Sequence, residues 1–331
     1  HQLAPTTSDP PVLSELTARL ADVSHSPGGT HWDASDEDIE AAAVAAAEAD
    51  VAVFVLGERS GLTDDAISGE ARDRMDIGLP GRQQDLLEAV VASGTPVVLV
   101  LIAGRPLAIP WAQQHCAAIL HAWVPGERGG EAIADVLTGA VNPGGKLPIT
   151  VPRDSGQIPV YYSHRPTGGH SNWKIEYQDG SNLPLWPFGF GRSYTSFELS
   201  DLRLSTIKIP ADGEVEISAA VRNTGTVAGD EVVQLYVRDV AASLTRPIKE
   251  LRGFARVTLE PGQSRSVTFT LAAEQLAFVD QPGRWLVEPG EFRLMVGSSS
   301  VDLPLEASLT VGGTARHIEA RSRYLTTVSV R

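Results

Sequence analysis

Two carboxylates raise the question of chemistry. Glu58 follows the apolar run Val51 to Leu56 ("VAVFVL"), and Glu70 stands in "AISGEARDRMDIGLPGRQQDLL", next to Gly69 and shortly before Arg72 and Arg74. A carboxylate at the carboxyl end of a strand in an open α/β sheet lies where such folds place function. Carboxylates can carry protons when burial or neighbouring charge tunes them. The plainer reading is a solvated charged loop with local ion pairs, and from composition alone that is the commoner outcome. Glu58 would also serve as a helix or loop cap.

Other chemistries lack their motifs. No G-x-G-x-x-G follows a strand, since "FGFGRS" at Phe188 lacks the third glycine, and no G-x-x-x-x-G-K-[ST] occurs. Phosphate cradling needs those glycines for close backbone approach, so a nucleotide-binding role is disfavoured. There is no G-x-S-x-G nucleophile elbow. Cys116, the only cysteine, reads as a small buried filler and permits no intrachain disulfide. His164 and His170 have no partners at metal-ligand spacing, so no metal and no cofactor is expected.

The elements that would position the carboxylates have two different periods. Up to about Val151, the apolar runs Val51–Leu56, Pro96–Ile102 and Ala117–Val124 alternate with helical patterns at Ile39–Glu48, Gln83–Ser93 and Gly130–Ala140. Such runs predict parallel strands buried on both faces, with helices covering the sheet. From about Phe197 the period is two, as in Val215, Ile217, Ala219 and Val221, with turn signals "NTG", "EPGQ", "QPGR" and "EPGE" between segments. This predicts an antiparallel β-sandwich of the immunoglobulin or fibronectin type III kind. The fold class is therefore α/β plus all-β: an α/β sandwich with a mostly parallel sheet, then a fibronectin type III-like β-sandwich. The expected boundaries are 1–160 for the α/β domain, 161–195 for an ordered connecting loop rich in aromatics, 196–312 for the β-sandwich and 313–331 for a tail of unassigned state.

Composition sets outer bounds. With 331 residues, two domains fit, and 42% hydrophobic residues is ordinary for a globular chain. The net charge of -14 argues against a nucleic-acid partner. No apolar run is long enough to span a membrane. "HQLAPTTSDPPV" lacks both a signal-peptide pattern and a starting Met, and the expectation is a C-terminal piece of something longer.

Taken together and in order, several segments resemble glycoside hydrolase family 3, above all its bacterial periplasmic-type β-glucosidases. They are "VAVFVLGE", "GEARDRMDIGLPGRQQDLL", "PVVLVLIAGRPLAI", "AWVPGERGGEAIADVLTGAVNPGGKLPITVPRDSGQIPVYYSH", "PLWPFGFGRSYTSFELSDLRL" and "PIKELRGFARVTLEPGQS". The resemblance implies a retaining β-glycosidase whose nucleophile, an aspartate, sits on a (β/α)8 barrel. Its general acid/base is a glutamate on a loop of the α/β domain, and Glu70 falls at that place. Glu58 matches a recurrent family position of more architectural character, with Arg72 and Arg74 as structural neighbours of the site. Trp173 and Tyr177 fall in the aromatic region that would edge the sugar, although the sequence around Trp173 departs from the family pattern. A barrel needs about 250 residues and no barrel pattern is present, so a barrel domain or partner chain is expected to complete the site. The first strand of the α/β domain is likewise expected to precede His1.

The implied substrates are β-linked oligosaccharides or aryl and alkyl β-glucosides, with β-xylosides as the alternative. This chain alone is expected to be inactive. A non-catalytic carbohydrate-binding or scaffolding module is the competing class. The resemblance points to periplasm or secretion, and the sequence leaves a cytoplasmic location open. Because a proton donor must not be held ionised, Arg72 and Arg74 are expected to turn away from Glu70, toward Asp73, Asp76 or the missing domain.

Overall fold

The computed structural model describes residues 12–166 and 177–331, which divide into two compact units. The first contains the described residues up to Val141 together with Val151–Pro159 and Leu183–Leu185. Its helices are α1 (Val12–Arg19), α2 (Asp36–Ala47), α3 (Gln83–Ala92), α4 (Pro110–His115) and α5 (Gly129–Leu137). Its strands are β1 (Ala52–Gly57), β2 (Val97–Ile102) and β3 (Ala118–His121). They form one parallel sheet in the order β1-β2-β3, with Ala52 opposite Val97 and Val98 opposite Ala118.

Local chemistry explains the boundaries. α2 begins three residues before the apolar repeat because Ser35 and Asp38 form a capping box: the Ser35 hydroxyl accepts from the Asp38 amide at 3.1 Å, and the Asp38 carboxylate accepts from the Ser35 amide at 2.9 Å. Helices α1 and α4 fall outside the sequence expectation. Both are short, and α4 starts on Pro110, whose fixed φ suits a first helical turn.

The expected burial on both faces holds for β2, where Val97, Leu99, Val100 and Leu101 are buried. It fails for β1, where Val53 and Val55 are 36% and 44% exposed. β1 is an edge strand, and its valine face is left uncovered.

The second unit comprises Asn142–Thr150, the described part of Val160–Asn182, and Trp186–Arg331. Its strands are β4 (Phe197–Leu204), β5 (Lys208–Pro210), β6 (Glu214–Asn223), β7 (Gly229–Asp239), β8 (Glu250–Leu259), β9 (Ser264–Ala272), β10 (Phe278–Val279), β11 (Trp285–Val287), β12 (Gly290–Gly297), β13 (Leu305–Gly312), β14 (Arg316–Ile318) and β15 (Thr327–Val330). One sheet runs β5-β13-β12-β7-β8, a second runs β15-β9-β6-β4, and β10-β11-β14 form a small third. The alternating residues read from sequence share one core: Val215, Ile217, Val221, Leu235, Val267, Phe269, Leu271, Phe292 and Leu294 are all buried in it. The 313–331 segment is not a featureless tail. It supplies β14 and β15, and β15 pairs with β9.

Two aromatics of the connecting segment, Tyr162 and Phe188, anchor within this unit. Tyr162 stacks on Phe188 at 4.5 Å, meets Tyr236 edge-on at 5.6 Å, and accepts a hydrogen bond from the Leu251 amide at 3.2 Å. Asn223, from "NTG", is fully buried and satisfied. It donates to Val227 O at 2.8 Å and Leu259 O at 3.0 Å, and accepts from Thr195 and the Gly225 amide.

Candidate active site

The three strands of the first unit end on one edge, and the long loop from Glu58 to Leu79 leaves from it. Gly57 is obligatory at the exit. Its φ is +146°, and an added Cβ would lie 1.8 Å from Ile102 O. The Gly57 backbone is clipped by Gln83, the first residue of α3, which accepts from Gly57 N at 3.0 Å and donates to Gly57 O at 2.9 Å and to His31 O at 2.8 Å.

Glu58 is the rivet of the loop. Its side chain is fully enclosed. Arg105, just past β2, grips it in a fork, Nε to Oε2 at 2.8 Å and Nη2 to Oε1 at 3.0 Å, while Arg74 donates to Oε1 at 2.8 Å. Burial opposes ionisation of this carboxyl, but the hydrogen bonds from Arg105 and Arg74 outweigh it and hold the group below its ordinary range. Glu58 is thus ionised at neutral pH and committed to two cations. Arg105 also pairs with Asp73, so one buried carboxylate joins the outgoing limb of the loop, its returning limb and the end of the neighbouring strand.

The loop is braced along its length. The hydroxyls of Ser60 and Ser68 meet at 3.0 Å, and Gly61 N donates to Ser68 O at 3.0 Å. Arg72 donates to Asp64 O at 2.8 Å and to its carboxylate at 3.0 Å. His31 contacts Asp65 O at 3.0 Å, and Trp32 lies under the Arg74 guanidinium at 5.8 Å.

At the tip of this framework Gly69 and Arg72 exchange backbone hydrogen bonds across a two-residue turn made of Glu70 and Ala71. Ala71 has φ +60°, the sign a type II turn demands at its third position and one that a side chain adopts at a cost. Gly69 cannot be replaced, because a Cβ there would come within 2.5 Å of Gly61 O.

Glu70 is exposed at this tip. Every other carboxylate between Glu58 and Asp76 has a cationic partner: Glu58 has Arg74 and Arg105, Asp64 has Arg72, Asp65 has Arg59, Asp73 has Arg105, and Asp76 has Arg74 at 3.8 Å. Among the described residues Glu70 is the carboxylate of this loop without an ion pair. Arg72 turns to Asp64, a partner the sequence reading did not name, and Arg74 turns chiefly to Glu58 and more distantly to Asp76. Arg105 and Gln83 were not among the residues singled out from sequence. The signal for Arg105 was the matching position of Gly104-Arg105 and Gly57-Glu58 after adjacent strands; Gln83 carried none.

His121, at the end of β3, has both ring nitrogens buried without hydrogen-bond partners among the described residues and packs on Trp123 at 4.0 Å. Burial pushes its imidazole down to about 4, so it is neutral at physiological pH. Burial also pushes the Cys116 thiol up to about 11, which leaves it a poor nucleophile. Tyr177 is half exposed and belongs to the second unit. Trp173 lies outside the described residues. Among the described residues no group of His, Cys, Asp and Glu could hold a metal ion, and no helix is long and apolar enough to cross a membrane.

The family model of the glycosyl hydrolase family 3 C-terminal domain matches residues 3–194. This chain belongs to glycosyl hydrolase family 3. A fibronectin type III-like domain model matches residues 231–300 as well. Among curated relatives in the family, a periplasmic β-glucosidase of Salmonella typhimurium is 46% identical over 79% of this chain and 34% of its own length. A β-xylosidase of Formosa agariphila is 44% identical over 84% of this chain and 38% of its own. A solved structure, the Listeria innocua β-glucosidase in complex with isofagomine, superposes with a TM-score of 0.83 at 36% identity, covering 92% of this chain and 42% of that one. The chain therefore spans between about a third and two fifths of the length of these family 3 proteins.

Proposed function

We propose that Glu70 is the general acid/base of a retaining β-glycosidase whose nucleophile is supplied by a domain or chain outside these residues. The observation that carries the reading is the pattern of pairing on the loop. A group that must give up and regain a proton in each turnover cannot be tied to an arginine, and among the described residues Glu70 is the one carboxylate of its loop without an ion pair, on an otherwise braced frame. Glu58, held ionised by Arg105 and Arg74, is unsuited to donate a proton.

A retaining glycosidase sets two carboxyl groups about 5 Å apart, one attacking the anomeric carbon and one protonating the leaving oxygen. No second free carboxylate accompanies Glu70 on the loop. The greater length of the relatives supports an external partner.

β-Glucosides are the substrate class we favour, on the match to the Salmonella typhimurium and Listeria innocua enzymes. The Formosa agariphila β-xylosidase, almost as similar, keeps β-xylosides as the second reading. The test is Glu70→Gln in the assembled enzyme. The expected outcome is a fall in kcat of about 10²- to 10⁴-fold on substrates with poor leaving groups, a smaller fall on activated aryl glycosides, and partial rescue by azide. Unchanged kinetics on all of them would exclude Glu70.

A further inference from the structure

The second unit holds a basic cluster unrelated to the loop of Glu70. Arg246 and Arg252 both donate to one oxygen of Glu250, at 3.1 and 2.9 Å. Arg246 also reaches Leu276 O, and Arg321 reaches the adjacent Ala277 O, each at 3.5 Å. The Thr326 amide donates to Arg252 O at 2.6 Å. Arg246 and Arg321 thus both reach the 276–277 backbone, and Arg252 joins them by sharing Glu250 with Arg246.

The means by which these cations are held is informative. Arg246 lies over Phe278 at 4.6 Å, and Arg321 lies over Trp285 at 5.1 Å and Tyr324 at 4.5 Å. A guanidinium held by its face keeps its N–H edge available to an acceptor. Arg321 makes no ion pair among the described residues. Glu250 is shared by two arginines, and Asp239 is a further carboxylate near Arg246.

On the segments of this cluster, four buried donors have no hydrogen-bond partner among the described residues: Arg252 Nε, Arg321 Nε, Gln275 Nε2 and Thr326 Oγ1. Arg252 and Gln275 are only 6% and 1% exposed. Unpartnered buried donors are costly, most of all on a charged group. Water would fill some of them, but would supply no charge to a cluster rich in cations.

We propose that this cluster is a binding site for a small tetrahedral oxyanion of the phosphate or sulfate type, with Arg252 and Arg321 as its charged donors. The site requires no bond making or breaking; it neutralises buried charge and ties the segment before β15 to the start of β8.

The test is binding of inorganic phosphate to the full chain, by calorimetry and by thermal unfolding, against sodium chloride at matched ionic strength and against acetate. A saturable rise in unfolding temperature with phosphate and sulfate but not chloride is expected. Arg321→Gln should weaken phosphate by about tenfold or more, the loss of a charge-assisted hydrogen bond, while Arg222→Gln on β6 should not. Equal responses to chloride would overturn the site. So would phosphate binding that survives Arg321→Gln, and an equal response to acetate would overturn the tetrahedral assignment. If Arg321→Gln fails to fold, phosphorus NMR of the unsubstituted chain decides: absence of sulfate-competable line broadening rejects the proposal.

Discussion

Glu58 and Glu70 are the same residue type on one loop, and their surroundings are opposite: Glu58 is enclosed and paired, Glu70 exposed. Replacing Glu58 by Gln leaves Arg74 and Arg105 facing an uncharged amide in an enclosed site. Breaking a buried pair of this kind costs about 3–5 kcal/mol, and urea unfolding should register it. Glu70→Gln should change stability by less than about 0.5 kcal/mol, since the side chain is exposed and unpaired. A large loss there would mean that Glu70 holds the loop together. Acid should weaken the first unit in two stages. His121, with its folded pKa down at about 4, binds fewer protons folded than unfolded, so stability falls as pH drops from about 6.5 toward 4. Glu58, lowered by its arginines, contributes stability that is complete above the ordinary carboxylate value of 4.5 and is lost as pH falls below it. His121→Leu should flatten the first stage and leave the second, as measured by urea midpoints at pH 7 and pH 5. Spacing could flag both glutamates. It could not reveal which cations Glu58 meets, because its forked partner Arg105 lies 47 residues away, just past the neighbouring strand, and a fork of that kind is made by sheet register rather than by local sequence.

At the scale of elements, most of the architecture was legible because periodicity reports burial. The parallel strands, the capped helices and the alternating strands of the sandwich all carry that signal. What escaped were pieces whose stability comes from contacts rather than pattern. α1 is short and packs along α5, with Arg19 paired to Asp135 at 3.0 Å. β14 and β15 lie in a polar stretch and become strands only because β11 and β9 offer them edges. The "NTG" turn signal proved more than a turn, since the Asn223 amide ties together 195, 225, 227 and 259. Asn223→Ala should leave buried carbonyls and an amide unpaired at a cost of about 2–4 kcal/mol; a thermal shift within error would show that water replaces the side chain.

For the whole molecule, the decisive quantity is how much of a family 3 protein these residues represent. The chain spans 34% of its Salmonella typhimurium relative, and among the described residues its loop offers one carboxylate without an ion pair where the proposed reaction needs two. The isolated chain should therefore release no measurable aryl product from β-glucosides. Turnover by the isolated chain, abolished by Glu70→Gln, would show that a second carboxylate within these residues had been overlooked. The net charge of -14 further predicts no salt-sensitive retention on a nucleic-acid matrix.

The strand Thr327–Val330 has a practical implication. It pairs along β9, Val328 packs against the sandwich core, and Arg331 closes the pairing with reciprocal hydrogen bonds to Ser266 at 2.8 and 2.9 Å. A protein shortened at residue 326 would present the bare backbone of Ser266 to Thr270 as a sticky rim, inviting neighbouring copies to fill it. Anyone trimming this polypeptide for expression should expect insoluble material from that cut, and should look to other positions for a shorter version.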